Sequence, residues 1–218
     1  HEKTHHPLHT NAHVTAALEL FDAVPKYRPF AALSYLESGS FEGLMENLDW
    51  KNPWPQSHQG AGIYVILNLC EEATPEWNDA YFKWFWDNAD PETGFWRAGD
   101  YQAEEHAPLY QFMAGGFHYM FNHESAHMPI RYPERIIDSC IQLYQENSIG
   151  KVFAKTAGFL EIDWIYCLTR ACEQTHYRYD EIKASLRQFT KEYMEFWNNV
   201  DWETNESVND LHLLFGGV

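Results

Sequence analysis

Amphipathic helical segments recur in this chain at intervals of roughly fifty residues, a period that belongs to stacked or closed arrays of helical hairpins. Segments open near residues 10, 57, 108, 159 and 208, and a second helical segment follows each of the first four. In the first, Ala12, Val14, Ala17, Leu18 and Phe21 fall at steps of three and four behind Thr10 or Asn11 as caps. Pro29 opens its partner, which carries Phe30, Leu33 and Leu36 and stops at Ser38-Gly39. Ser57 caps a long segment holding Ile63, Ile66, Leu67 and Cys70. Pro75 then starts Glu76 to Asn88, rich in Trp77, Tyr81, Trp84 and Phe85. Helices follow over Pro108 to Phe121, Pro133 to Tyr144, Phe159 to Ala171 and Tyr179 to Asn198, with a new start at Val208 to Leu211. Strand alternation is almost absent, so the fold class is all-α.

A hairpin of this size cannot bury both of its apolar faces alone, so neighbouring hairpins must stack or close into a ring. The first helix of each pair is the more apolar and carries glycines, as in Gln59-Gly60-Ala61-Gly62 and Ala114-Gly115-Gly116, which suits an inner layer. The second carries the charges, as Tyr179 to Trp197 does, which suits an outer one. Residues 1–218 read as a single domain with residues 1–9 peripheral. The final run Leu211 to Val218 reads equally as a helix cut short or as a short last helix capped by Gly216-Gly217.

Thirty-two acidic residues against fifteen basic ones give a net charge of -17, a field that repels phosphate backbones and anionic headgroups; nucleic acid and membrane are excluded as partners. The longest apolar stretch, Ala61 to Cys70, is about half of what a membrane helix needs. A soluble chain results, with the cytoplasm favoured over secretion. Cys70, Cys140, Cys167 and Cys172 form no CxxC pair and read as buried thiols. There is no HExxH, EF-hand loop or glycine-rich phosphate loop. Neither metal nor other cofactor is expected.

The alternation of inner and outer helices resembles the α/α toroid superfold, shared by six-hairpin glycosidases, several polysaccharide lyases, terpenoid cyclases and protein prenyltransferases. Asp90-Pro91-Glu92-Thr93-Gly94-Phe95-Trp96 resembles a segment between hairpins of unsaturated glucuronyl hydrolases, where it makes a turn and aims an aromatic toward the cavity. The resemblance implies an α/α toroid or partial toroid of four to five helical hairpins. The chain departs from those families in having at most five hairpin starts instead of six, no Asp-x-Asp-Asp motif and no zinc trio recognisable by motif.

His13, His58, Asp163 and His212 lie near the starts of inner helices, where parallel helices would ring one mouth of a cavity with groups suited to acid–base catalysis. These four are the candidate catalytic residues. Asp163, within Phe159-Leu-Glu-Ile-Asp-Trp-Ile-Tyr166, needs a partner or a function among such large apolar neighbours; Arg170, Arg131 or Arg135 would serve as a plain ion-pair partner. Trp50, Trp54, Trp96 and Tyr101, in loops, are candidate substrate-binding residues together with His118 and Arg97. His5, His6 and His9 read as frayed or loop positions. The leading expectation is a carbohydrate-active hydrolase or lyase acting on an oligosaccharide or another small organic substrate. The alternatives are a terpenoid cyclase or prenyltransferase-like enzyme with an aromatic lumen, and a non-catalytic helical-repeat interaction module. Self-association or further hairpins would complete its ring.

Overall fold

The computed structural model describes residues 7–97, 107–146, 148–149, 157–210 and 214. Ten α-helices account for most of them: α1 (Pro7–Glu19), α2 (Phe30–Leu33), α3 (Ser40–Asn47), α4 (Pro53–Leu69), α5 (Pro75–Asn88), α6 (Leu109–Ser125), α7 (Pro133–Gln145), α8 (Phe159–Cys172), α9 (Tyr179–Asn199) and α10 (Glu206–Asn209). No strand occurs among the described residues, only one isolated bridge between Ala89 and Trp96. The all-α expectation holds, and no helix among these is long and apolar enough to cross a membrane.

Local chemistry sets the helix starts. Pro53, Pro75 and Pro133 occupy first-turn positions of α4, α5 and α7, where a missing N–H costs nothing. Thr74 Oγ1 accepts the Trp77 N–H to cap α5, and Glu161 reaches back to accept the Gly158 N–H at the start of α8. The second segment of the first pair differs from expectation. It does stop at Gly39, but after α2 and a single 3-10 turn (Ser34–Leu36) the chain turns through Gly39 at φ 80° and starts α3, which was not anticipated. Glycine takes that left-handed conformation at no steric cost, and the restart lets Phe41 and Met45, one turn apart, enter the core. The helix expected at Ser57 begins four residues earlier, at Pro53.

Helices α1, α4, α6 and α8 pack side by side in that order. Their contacts climb together along the chain: Leu8 and Ala12 lie against Gly62, Pro53 against Gly115, Ser57 against His118, and Ala61 against Asn122. Cys167 bonds the Met113 carbonyl, and Arg170 pairs with Glu124. The row is therefore parallel. Helices α5, α7 and α9 run the other way. Tyr81 donates to the Gly60 carbonyl while Asn78 pairs with Asn68; Trp164 donates to the Cys140 carbonyl while Ile130 bonds Gln174; Trp164 packs on Phe189. An apolar row of helices backed by an antiparallel, more charged layer is what the composition of the two helix sets implied.

The core lies between the two layers and is rich in aromatics, with Tyr81, Phe85, Tyr119 and Trp164 among its largest fully buried side chains. Asp90 to Trp96 does form a turn: Asp90 Oδ1 accepts the N–H groups of Glu92 and Thr93, and Gly94 adopts φ 79°. A side chain on Gly94 would strike the Ile136 N–H group at 2.6 Å, so the turn is pressed onto the start of α7. Its aromatics point into the core, not toward a cavity. Phe95 is fully buried, and Trp96 is 3% exposed with its indole N–H on the Phe85 carbonyl. All four cysteines are free thiols, Cys140 and Cys167 buried and Cys70 and Cys172 half-buried.

Candidate functional site

Four imidazoles from three parallel helices meet at one level of the inner row. His9 and His13 are one turn apart on α1, and their Nε2 atoms lie 2.7 Å from each other. His58 of α4 stacks flat on His9 with ring centroids 3.9 Å apart, and His118 of α6 meets His58 edge-on at 4.5 Å. Helix α4 contains no Asp, Glu, Lys or Arg, and α6 has none before Glu124 near its end. Imidazoles thus take the place of acidic and basic side chains on this part of α4 and α6.

The tautomer of His118 follows from its neighbours. Ser57 Oγ lies 2.6 Å from the Trp54 carbonyl, which can only accept, so the single hydroxyl proton goes there. Ser57 Oγ then accepts the Nδ1–H of His118 at 2.9 Å, leaving Nε2 of that ring with a bare lone pair. Burial, reinforced by His58, His9 and His13, holds His118 well below the ordinary imidazole range. It is neutral at physiological pH. The serine–histidine contact is structural, because Ser57 is 0% exposed and no substrate carbonyl reaches its oxygen.

Asp163 occupies a separate place. It lies on α8 one turn before Cys167, whose thiol bonds the Met113 carbonyl of α6, and it is 2% exposed. Burial first, and the nearby Glu161 second, push its carboxyl up to about 8. Its Oδ2 has no hydrogen-bond partner among the described residues. None of the three expected arginines pairs with it. Arg170 binds Glu124 and Glu173, Arg131 donates to the Trp86 carbonyl, and Arg135 pairs with Asp138. Asp163 is therefore a protonated, buried acid at neutral pH.

Of the candidate residues, the structure brings His13, His58 and His118 together. It adds His9, which sits within α1 instead of fraying, and Ser57. His118 lies in the third turn of its helix, later than His13 and His58 in theirs; α6 is offset along the row so that Gly115 faces Pro53, which sets His118 beside His58. Trp54 is half-buried at the start of α4 and lends its carbonyl to Ser57. Trp50 and Arg97 meet each other elsewhere, the guanidinium 6.0 Å from the indole ring and 3.1 Å from Glu46, while Trp50 donates to the Met45 carbonyl and stacks on Trp84. Trp96, buried in the core, offers no face to a ligand. Tyr101 and His212 lie outside the described residues. Among the described residues no three His, Cys, Asp or Glu side chains are arranged to hold a metal ion.

No protein-family model, no curated protein and no solved structure matches this chain.

Proposed function

We propose that the parallel inner row is part of an α/α toroid or partial toroid and that the chain is a carbohydrate-active enzyme working by acid–base chemistry at the histidine cluster. The observation that carries this reading is the convergence of His9, His13, His58 and His118 from three helices at one level. His118, held neutral by burial, offers an unprotonated nitrogen at physiological pH, which is what a general base requires. Half-buried Phe117 and Tyr166, next along the row, supply flat apolar faces of the kind that stack on sugar rings.

Within that class, proton abstraction fits better than hydrolysis. Glycoside hydrolysis uses two carboxyl groups facing the scissile bond. The two acids on α8, Glu161 and Asp163, are each 2% exposed. A lyase instead needs a base for the sugar C–H and positive charge near the substrate carboxylate, roles that one neutral and one protonated imidazole can share. Asp163, 2% exposed on α8, then holds a buried proton and does not touch the sugar.

The test is a panel of neutral and acidic oligosaccharides assayed for both reducing ends and unsaturated products. Unsaturated product from the intact chain, with kcat/KM lowered about a hundredfold or more in His58→Ala at unchanged Tm, is the expected result. Failure of the intact chain to turn over any saccharide would overturn the reading.

A second reading, the helical-repeat interaction module, is favoured by one specific observation. Leu20, Phe21, Val24, Tyr27 and Phe30, around the α1–α2 connection, are between 71% and 83% exposed, and a groove of about 470 Å³ between α8 and α9 opens at the opposite edge of the row. Concentration-dependent light scattering, with Phe21→Ser reducing any association, tests it.

A further inference from the structure

We propose that the cavity at the C-terminal ends of α6 and α8 binds a small primary amine, taken up as its ammonium ion, with an apolar body. The inference does not rest on the catalytic reading: His118 meets α4, whereas His123, one turn further along α6, meets α5 and lines this separate cavity.

The cavity measures about 330 Å³, at the small end of the range that ligand pockets occupy. Met120, Met128, Pro129 and Ile130 give it an apolar wall, and flexible methionine side chains adjust to whatever fills the space. Gln174 holds that wall in place, its Oε1 accepting the Ile130 N–H at 2.9 Å, and exposed His127 stands at the rim.

His123 decides what can enter. It is 4% exposed, stacked on Trp96 with ring centroids 5.3 Å apart and packed edge-on against Phe82 and Phe85. Its Nδ1 lies 2.9 Å from the Tyr119 carbonyl, which can only accept, so Nδ1 carries the hydrogen. Burial pushes this imidazole down to about 4, which leaves Nε2 a bare lone pair at neutral pH. That nitrogen takes no hydrogen bond among the described residues, yet it is not sealed from solvent, and the ring lines the cavity. A buried acceptor open to a cavity calls for a donor from whatever fills it.

The charges around it select a cationic donor. Arg170 Nη1 lies 3.0 Å from Glu124 and 2.8 Å from Glu173, so one guanidinium faces two carboxylates. Glu124 is fully engaged, its second oxygen accepting the Tyr166 hydroxyl. Glu173 gives Arg170 only Oε1, and its Oε2 takes no hydrogen bond among the described residues. Arg170 Nε, the unpartnered donor nearby, is sealed from solvent and offers an entering ligand nothing. Helices α6 and α8 run parallel and end here, at Ser125 and Cys172, so the negative ends of both dipoles lie at the cavity. An ammonium group brings three N–H donors, one for His123 Nε2 and one for Glu173 Oε2, and balances the excess carboxylate. A carboxylate ligand would add to that excess and bring no donor to His123.

Isothermal titration calorimetry of the intact chain at pH 7.5 tests the site with phenethylamine, 2-phenylethanol and phenylacetate, which share an aromatic body and differ in charge. Phenethylamine should saturate one site per chain, about tenfold or more tighter than 2-phenylethanol, and phenylacetate should not bind. Nitrogen NMR should show the His123 Nε2 signal moving as phenethylamine is added. Glu173→Gln, at an exposed position, should weaken phenethylamine about tenfold or more through the lost charge-assisted bond. Glu19→Gln, which removes the same charge from α1 at the far edge of the row, should leave the affinity within about twofold. Absence of saturable phenethylamine binding, equal affinity for 2-phenylethanol or tighter binding of phenylacetate would overturn the site. So would equal weakening in the two glutamine variants, the mark of diffuse attraction of a cation to a chain of charge -17.

Discussion

The junction of α1, α4 and α6 and the first turns of α8 both bury titratable groups, and they do so in opposite ways. At the junction burial holds the His118 imidazole well below its ordinary range, so it sheds its charge at neutral pH, and Ser57 Oγ accepts its Nδ1–H. On α8 the buried group is a carboxyl with no arginine beside it, so burial must raise its proton affinity by orders of magnitude, and one oxygen stays without a partner. Burying an imidazole costs little at neutral pH; burying Asp163 without a cation beside it costs stability as pH rises.

Asp163→Asn should break that asymmetry most visibly. Burial pushes the folded carboxyl up to about 8, far above the usual carboxylate range of about 4, so the folded state holds a proton that the unfolded chain has released between those values. Stability therefore falls as pH rises from about 4 to 8, with a slope approaching 1.4 kcal/mol per pH unit at its steepest. Asparagine resembles the protonated acid and removes the titration. Urea unfolding at pH 8 should show the variant more stable by a few kcal/mol, with the difference vanishing near pH 4. Parallel pH profiles for the two proteins would mean that Asp163 is charged in the folded state and has a cation partner.

These two regions were unequally legible in the sequence. Most of the helices, the more apolar and the more charged member of each pair, and the setting of Asp163 among large apolar residues follow from periodicity and composition, whereas α3 does not. The histidine cluster was visible only in part. His13 and His58 stand near helix starts, but His118 does not, because register between helices is set by which small residues allow close approach, here Gly115 against Pro53. His9 lay within four residues of the first clear cap signal, too close to a terminus for periodicity to act on. The tryptophans misled for a related reason. A loop position predicts exposure, yet the short Asp90–Trp96 turn folds back on α7 and carries Phe95 and Trp96 inside. Turn geometry, not local polarity, decides where those rings go.

A smaller effect sharpens the comparison by disturbing one region alone. In Gly62→Ala the new methyl group meets the Leu8 carbonyl at 3.1 Å, and backbone on both sides of the seam must yield. A loss of about 1–3 kcal/mol is expected. Helix α1 should lose exchange protection at neutral pH, while the pH dependence attributed to Asp163 is preserved, since α8 touches neither residue. If the Asp163 profile flattened as well, the two regions would be one cooperative unit and the contrast between them would be lost.

The smallest effect is expected at Arg97. Its guanidinium is 3.1 Å from Glu46 and 6.0 Å from the Trp50 ring, and both members of the ion pair are more than a third exposed. Solvent screening limits such a pair to less than about 1 kcal/mol, so Arg97→Ala should move Tm by only a few degrees. Its value lies in the second readout. Trp50 stands just before α4, and Trp84, on which it stacks, follows by three residues the Tyr81 that bonds Gly60. The Trp50–Arg97 pair is thus at the same end of α4 as His58. A weakened KM for an acidic oligosaccharide at unchanged kcat would join that aromatic–cation pair to the histidine region as one extended binding surface. An unchanged KM would leave it as a lid over the ends of α3 and α5, and would confine substrate contacts to the face that carries the imidazoles.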